Sequence, residues 1–433
     1  MIRDFSKDEY DEFKSLFSIS DTWQIINNVF LEIDRKVLEH GERVAYIALT
    51  LAKKQKLDTT TTRNLVFAAL FHDIGMVWSE EDEETTEFTA FNPKGTYDHA
   101  LSSYLFLKYF SPLKKYSEIV LFHHGRADRQ QVNEYYKLGV KLHICDRIDV
   151  AEINNISRER TIELLEQNSG KMFYKQDVED MIAIIKETNV LDDLKTDKCR
   201  NTIDKYLSAM YFRRDVVRNY LFMATYCFEF FDTETMFHAR MTSSLCYLLG
   251  RYMNLDLHQL SVLYTAGLFG DIGKARIPHS ILKKPGKLTP EERVIMKQHD
   301  EFTKEILGGC IKDPQVIDIA YSHHEKLDGS GYPRGLKGDE LDINKRIIAV
   351  ADIASALMAH RSYKDAYPME KTIEELQSMV DNGKLDKQVV DAFIENQQEI
   401  SSYLENHINR VLRNLQAMRG EKARLKFANT WSL

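Results

Sequence analysis

The chain has 433 residues, 43% hydrophobic and 29% charged, and its 58 basic against 66 acidic residues leave a formal charge of −8. That length exceeds one ordinary core and suits two domains of roughly 200 residues. The composition is globular rather than disordered, and the acidic balance offers no global basic field for wrapping a nucleic-acid duplex. Five scattered cysteines (Cys145, Cys199, Cys227, Cys246, Cys310) form no CxxC pair, which fits reduced thiols better than a disulfide framework. The N-terminal MIRDFSKDEYDEF is charged and lacks the apolar core of a signal peptide. The most apolar stretch, Tyr220 to Phe231, contains Thr225 and Glu229 and is too short to span a bilayer. A cytoplasmic protein is the expectation, with neither a membrane nor a nucleic-acid polymer as partner.

Apolar residues recur at helical spacing along the chain, as at Val44, Ile47, Ala48 and Leu51, and alternating Val-rich runs are scarce, so the pattern predicts an all-α fold. The first predicted helix, EHGERVAYIALTLA, carries His40. The next ends in AALFHDIG, which places His72-Asp73 32 residues after His40. His99, His123-His124 and Asp146 (in HICDRID) follow. Beyond a boundary between about residues 190 and 225 the same order returns. His238 lies in FHARMTSSLCYLLG, and Gly270-Asp271 in AGLFGDIG comes 32 residues after it. His299 precedes His323-His324 by 24 residues, as His99 precedes His123-His124, and Asp352 closes the set. Between these, Thr289-Pro290-Glu291-Glu292 reads as a helix start, with a capping hydroxyl, Pro at the first position and a Glu that bonds back. From the tandem histidines to the last aspartate the second copy is six residues longer, around DGSGYP from Asp328 to Pro333. The reading is two tandem helical-bundle domains, 1–205 and 206–433, with metal sites in the bundle cores. The basic segment from Arg410 to Lys426 is read as a helical tail with no assigned activity.

A single helical histidine is ordinarily a core or surface residue. Two copies of the order His, (His)Asp, His, HisHis, Asp are different, because each draws imidazoles and carboxylates from several helices. A mixed N/O donor set suits Mn, Fe, Co or Ni and leaves positions open for water and substrate. A carboxylate shared by two such ions permits two-metal hydrolysis of a phosphate ester.

The second copy resembles the HD-GYP family of bacterial cyclic-dinucleotide phosphodiesterases across roughly residues 225–370. The likeness is carried by HAR from His238, FGDIGK ending at Lys274, IPHSILKKPGKLT from Ile277, KQHD from Lys297, HHEKLDGSGYP from His323, Ala351-Asp352, and RSYK from Arg361 to Lys364. The first copy resembles a plainer HD domain: it keeps His40, His72, Asp73, His99, His123, His124 and Asp146, has Met76 where the second has Lys274, and lacks the glycine-rich loop. The resemblance implies Asp271 as bridging ligand, with His238, His299, His323, His324 and Asp352 as further ligands and Glu234 as ligand to a third ion. It implies Fe or Mn as the ions, two per active domain, or three with Glu234. It further implies Lys274 at the phosphate or leaving oxygen, Arg361 and Lys364 on the ligand phosphates, and Tyr332 in the family's loop.

Two departures stand out. The HD pair is Gly270-Asp271 in the second copy, so one imidazole is missing. The domain then works with an altered centre, binds without cutting, or carries an introduced substitution; catalysis by the second domain is the leading reading. Ser355 stands where the family commonly has Asp, near a guanine base, which as an expectation loosens guanine preference and makes 3′3′-cGAMP plausible beside cyclic di-GMP. The leading function is therefore a cyclic-dinucleotide phosphodiesterase making a linear dinucleotide, with 5′-dephosphorylation in the N-terminal domain. The alternative is a cyclic-dinucleotide receptor with a silenced site controlling an active N-terminal phosphohydrolase. A dimerisation scaffold is a third reading of the first domain, disfavoured by its intact His-Asp set; homodimerisation itself is left open.

Overall fold

The computed structural model describes residues 19–78, 98–129, 133–209, 217–229, 235–282, 284, 286–309, 311–358 and 368–427. Among these no β-strand forms, and the chain is helical in the following order. The first half holds α1 (Ile19–Ile33), α2 (Arg35–Lys54), α3 (Thr59–Phe71), α4 (Asp98–Phe110), α5 (Ser117–Leu121), α6 (Glu134–Ile153), α7 (Arg158–Asn168), α8 (Lys175–Glu187), α9 (Val190–Leu194) and α10 (Lys198–Ser208). The second half holds α11 (Val217–Glu229), α12 (Thr235–Tyr252), α13 (Leu257–Phe269), α14 (His279–Leu282), α15 (Pro290–Lys297), α16 (His299–Gly308), α17 (Pro314–Ala320), α18 (Ile343–Met358), α19 (Met369–Asp381), α20 (Lys387–Glu395) and α21 (Gln397–Phe427).

Contacts divide the chain into two units. One comprises residues 34–211 and 414–433, the other 1–33 and 212–413. The expected division, 1–205 and 206–433, keeps α1 with the first half and all of α21 with the second, whereas the contacts group α1 with the second half and the end of α21 with the first. In α1 the buried stripe Ile25, Ile26 and Val29 packs in the unit of α11 and α16, and Glu32 pairs with Arg276 at 2.7 Å. The end of α21 packs in the other unit, where Met418 and Leu425 lie on Leu101, Tyr104 and Leu105. There Glu421 accepts from Tyr104 Oη at 2.8 Å, Tyr109 Oη at 2.6 Å and Lys108 Nζ at 2.7 Å.

Local sequence accounts for the helix starts. Asp34 accepts from the backbone N–H of Lys36 and Val37, closing the exposed start of α2, and Lys53 and Lys54 lie at its negative end. Thr289 and Glu292 form a reciprocal capping box at α15 with Pro290 at the first position, as the sequence indicates. On α2 the residues Val44, Ile47, Ala48 and Leu51 have no exposed surface, so the 3.6-residue stripe is the core face. Burying each of the larger ones stabilises by roughly 1.5–3 kcal/mol.

The turn after each His/Gly-Asp pair explains how the sites form. A 3-10 helix runs over Ile74–Trp78 in one unit and Ile272–Arg276 in the other. Gly75 N–H donates to Ser103 Oγ at 2.8 Å, and Gly273 N–H to Thr303 Oγ1 at 3.0 Å. A Cβ on Gly75 would stand 2.3 Å from His99 O, and one on Gly273 1.9 Å from His299 O. Only glycine lets this turn approach the start of the helix that carries His99 or His299, and that approach joins Asp73 or Asp271 to those imidazoles.

Candidate functional site

In the first unit, α2 presents His40, whose Nε2 lies 3.2 Å from Asp146 Oδ1 on α6 and 3.2 Å from His72 Nε2 at the end of α3. Asp73 follows His72, with Oδ2 3.6 Å from His40 Nε2 and Oδ1 3.3 Å from His123 Nε2 and 3.8 Å from His99 Nε2. His99 and His124 complete the set, their Nε2 atoms 2.8 Å apart. Asp73 thus touches both ends of the cluster, one oxygen toward His40 and the other toward His99 and His123.

The second unit repeats this geometry. On α12, His238 Nε2 lies 3.1 Å from Asp352 Oδ1 of α18 and 3.2 Å from Asp271 Oδ2. Asp271 Oδ1 faces His299 Nε2 at 3.4 Å and His323 Nε2 at 3.6 Å. His324 Nδ1 lies 3.3 Å from Asp352 Oδ2. The tandem histidines take the same pose in both units. His123 and His323 each place Nδ1 2.7 Å from the carbonyl three residues earlier, and the paired rings are 3.9 and 3.8 Å apart.

A family model described as HD domain matches residues 37–151, and a second of the same description matches residues 228–389. The chain is a tandem HD-domain protein. Its C-terminal half resembles the HD-GYP phosphodiesterases. It is 27% identical over 381 residues to the "3'3'-cGAMP-specific phosphodiesterase 1" of Vibrio cholerae, an alignment covering 84% of this chain and 88% of that protein. It is 40% identical over 176 residues to the "Cyclic di-GMP phosphodiesterase" of Thermotoga maritima, covering 40% of this chain and 47% of that protein. A crystal structure of the V. cholerae cyclic GMP-AMP phosphodiesterase V-cGAP3 superposes with a TM-score of 0.51 at 17% identity, covering 88% of this chain and 98% of that one. At that identity the superposition supports the fold alone.

The described donors fit divalent metals. Asp73 Oδ1, His123 Nε2 and Asp146 Oδ1 in the N-terminal HD domain are buried without a hydrogen-bond partner, as are Asp271 Oδ1, His299 Nε2 and His323 Nε2 in the C-terminal one. Buried polar atoms are rarely left so, and these converge. Asp271, His299, His323 and His324 place one ligand atom each within 4.8 Å of one another, as do His99, His123 and His124, and His40, His72 and Asp73.

The charge balance asks for cations as well. Burial alone would raise the Asp73 carboxyl, but His72, His123 and His99 hold it well below the usual carboxylate range. Asp271 is likewise held low, against burial, by Lys274, His238, His299 and His323. Burial would lower His40, yet Asp146 and Asp149 push it up to about 10. Two carboxylates held ionised in buried surroundings call for positive charge beside them, which a bound cation would supply.

Several expected residues take specific places. Lys274 Nζ donates to Asp271 Oδ2 at 2.7 Å. Tyr332 packs 4.7 Å from the His324 ring, with Lys297 Nζ 4.5 Å from the centre of the Tyr332 ring. Its loop is pinned by buried Glu325, which accepts from Arg334 N at 2.7 Å and Leu336 N at 3.0 Å. Ser355 is placed otherwise than expected for a base pocket. It has no exposed surface, and its hydroxyl lies 3.1 Å from His238 Nδ1, 2.6 Å from Thr242 Oγ1 and 2.9 Å from Asp352 O. Its hydroxyl therefore faces the far side of the His238 ring. Glu234, Arg361 and Lys364 lie outside the described residues.

Sequence reasoning missed four neighbours. Asp149 accepts from His40 Nδ1 at 2.7 Å and from Arg43 Nε at 2.6 Å. Arg147 donates to Asp146 Oδ2 at 2.5 Å. His143 is buried, with Nδ1 3.0 Å from Gly125 O. Asp300, beside His299, is buried, and burial pushes its carboxyl up to about 6 against His323 and His299. The signals were present as HICDRID and KQHD, but nothing in a linear pattern says which carboxylate faces an imidazole.

Proposed function

We propose that the C-terminal HD domain hydrolyses a cyclic dinucleotide, 3′3′-cGAMP or cyclic di-GMP, to the linear dinucleotide, and that the N-terminal HD domain then removes the 5′-phosphate. The observation that carries the reading is the Lys274–Asp271 contact at 2.7 Å inside a shell of four histidines and two aspartates, matched in the other domain by the corresponding residues plus His72, with Met76 in the lysine's place. A phosphodiester places negative charge on both its non-bridging and its leaving oxygen, and a fixed ammonium at the centre's edge favours that charge build-up. The names of the V. cholerae and T. maritima relatives, both cyclic-dinucleotide phosphodiesterases, support the substrate class.

Asp271, His238, His299, His323, His324 and Asp352 would hold the ions of the C-terminal centre, and His40, His72, Asp73, His99, His123, His124 and Asp146 those of the N-terminal one. Fe or Mn suits this donor set. When bound, such ions supply Lewis-acid charge at the phosphate and acidify water. The chain's own groups do the rest. The backbone acceptors at Val120, Ala320 and Met296, together with Asp149 and Ser355, hold five imidazole rings in one orientation each. Lys274 holds a proton at Nζ next to Asp271, positioned to neutralise the departing oxygen. Water adds across one P–O ester bond, its oxygen staying on phosphorus and its proton leaving with the ester oxygen.

A receptor reading rests on Gly270, which brings no donor atom where the N-terminal domain has His72. Chromatography of Mn-loaded protein over time separates the readings. In Asp73→Ala a linear 5′-phosphorylated dinucleotide should accumulate, and in Asp271→Ala no ring opening should occur. Binding without any product from the unmodified chain would support the receptor instead.

A further inference from the structure

We infer that Asp300 is a metal ligand of the C-terminal centre and supplies the donor that Gly270 lacks. This rests on the reading of that site as a metal centre and goes beyond it by naming a ligand outside the HD pattern. The two repeats place the exchange side by side. His72 aligns with Gly270 and His99 with His299, so the residue after the third histidine is Ala100 in one repeat and Asp300 in the other. One repeat has His with Ala; the other has Gly with Asp.

The two positions are neighbours in space. Thr303, one turn after Asp300 on α16, donates from Oγ1 to Gly270 O at 2.8 Å. An ideal Cβ at position 270 would stand 3.5 Å from His323 Nδ1, and Asp300 Oδ1 stands 3.4 Å from that same atom. In the N-terminal domain the ring of His72 lies 5.0 Å from His123, the counterpart of His323. The missing imidazole and the extra carboxylate therefore border the same ring. Asp300 Oδ1 is also 3.5 Å from His299 Nε2, the nitrogen that faces Asp271. Asp300 has no exposed surface, and neither of its oxygens has a hydrogen-bond partner. An ionisable group so placed is costly unless something positive meets it.

No backbone constraint explains the glycine. Gly270 has φ −51° and ψ −43°, ordinary helical angles, and its added Cβ would meet only ordinary contacts. It borders a small cavity together with His238, Thr242, Asp271, His323 and Asp352. Exchanging a neutral nitrogen donor for an anionic oxygen hardens the site, which favours Mn(II) over Ni(II) or Zn(II) relative to an all-histidine arrangement.

The test uses the full chain with Asp73→Ala, so that the N-terminal cluster is disabled, and reads metal by elemental analysis and Mn(II) titration followed by electron paramagnetic resonance. Asp300→Asn, nearly isosteric, is expected to weaken Mn(II) binding at least on the order of 10–100-fold, with the circular dichroism spectrum and melting temperature of the metal-free protein unchanged. Gly270→His with Asp300→Ala rebuilds the N-terminal arrangement and is expected to recover metal binding while shifting preference from Mn(II) toward Ni(II) and Zn(II). Unchanged Mn(II) affinity in Asp300→Asn overturns the assignment. Loss in Asp300→Asn with no recovery or shift in a folded double variant also overturns it, since that is the behaviour of a residue that only orients His323. A parent protein that binds no metal at all overturns instead the reading of the site as a metal centre.

Discussion

His40 donates from Nδ1 to Asp149 at 2.7 Å, and the corresponding position of the other repeat puts the Ser355 hydroxyl 3.1 Å from His238 Nδ1. Both residues lie three positions after the last aspartate of their centre. A carboxylate behind a metal-binding imidazole fixes its tautomer and raises its donor strength, and such partners are worth 10–100-fold in metal affinity. Exchanging them should therefore move affinity in opposite directions. Asp149→Ser is expected to weaken metal binding in the N-terminal domain by roughly 10-fold or more, and Ser355→Asp to strengthen it in the C-terminal domain. Metal titration of each variant, with the other centre disabled, checks both. Asp149→Ser also leaves Arg43 without its buried partner, so part of its effect should appear as a lower melting temperature. If Ser355→Asp changed base preference while leaving metal affinity untouched, the hydroxyl would belong to substrate recognition after all.

Lys274 is separable from the His/Asp cluster because it pairs with Asp271 Oδ2 without offering a donor atom for a metal ion. Lys274→Met copies Met76 of the N-terminal domain. Turnover of the cyclic dinucleotide is expected to fall by about 10²–10³-fold, the usual loss for one group aimed at developing charge, with metal content retained. Rates normalised to bound metal decide the matter; a normalised rate equal to that of the unmodified chain would reduce Lys274 to an aid in holding Asp271.

The end of α21 offers a stability test. Glu421 is buried beneath three donors, Tyr104, Tyr109 and Lys108, and hydrogen bonds to a charged group contribute about 1.5–3 kcal/mol. Glu421→Ala should release residues 414–427 and leave the part of α21 near Tyr403 protected. Amide hydrogen exchange along α21 measures this, and uniform protection in the variant would contradict the packing described. The pH dependence has a definite sign. Burial would raise the Glu421 carboxyl, but Lys108, Tyr109 and Tyr104 hold it below the ordinary range. Its contribution is thus full above the unfolded value of about 4.3 and is lost as pH falls through the lower folded value.

Much of this was legible in the sequence because helical repeats write their ligands at fixed intervals. The 32- and 24-residue spacings located His40 with His72 and His299 with His323, and the structure joins them. The capping box at Thr289 was equally readable, being local. What escaped was tertiary. Asp149 meets His40 across 109 positions and Glu421 meets Tyr104 across 317, and no local preference encodes such pairs. The grouping of α1 and of the end of α21 was hidden for the same reason: both carry ordinary amphipathic stripes that fit any apolar surface. The contacts of Ser355 with His238 and Thr242 were not readable, because its orientation depends on α18's rotation, which turns it toward α12. Asp300 was overlooked because a residue next to a ligand histidine looks like helix-start acid, a common preference.

The most direct test of catalysis in the C-terminal domain compares the unmodified chain with Gly270→His, both Mn-loaded, on 3′3′-cGAMP and cyclic di-GMP, with products followed by chromatography over time. The expected result is linear dinucleotide from the unmodified chain, at a rate within about 10-fold of the variant's, since one first-coordination donor is exchanged rather than lost. Ring opening by Gly270→His alone, with intact cyclic dinucleotide recovered from the unmodified chain, would contradict catalysis and leave a binding domain beside an N-terminal hydrolase.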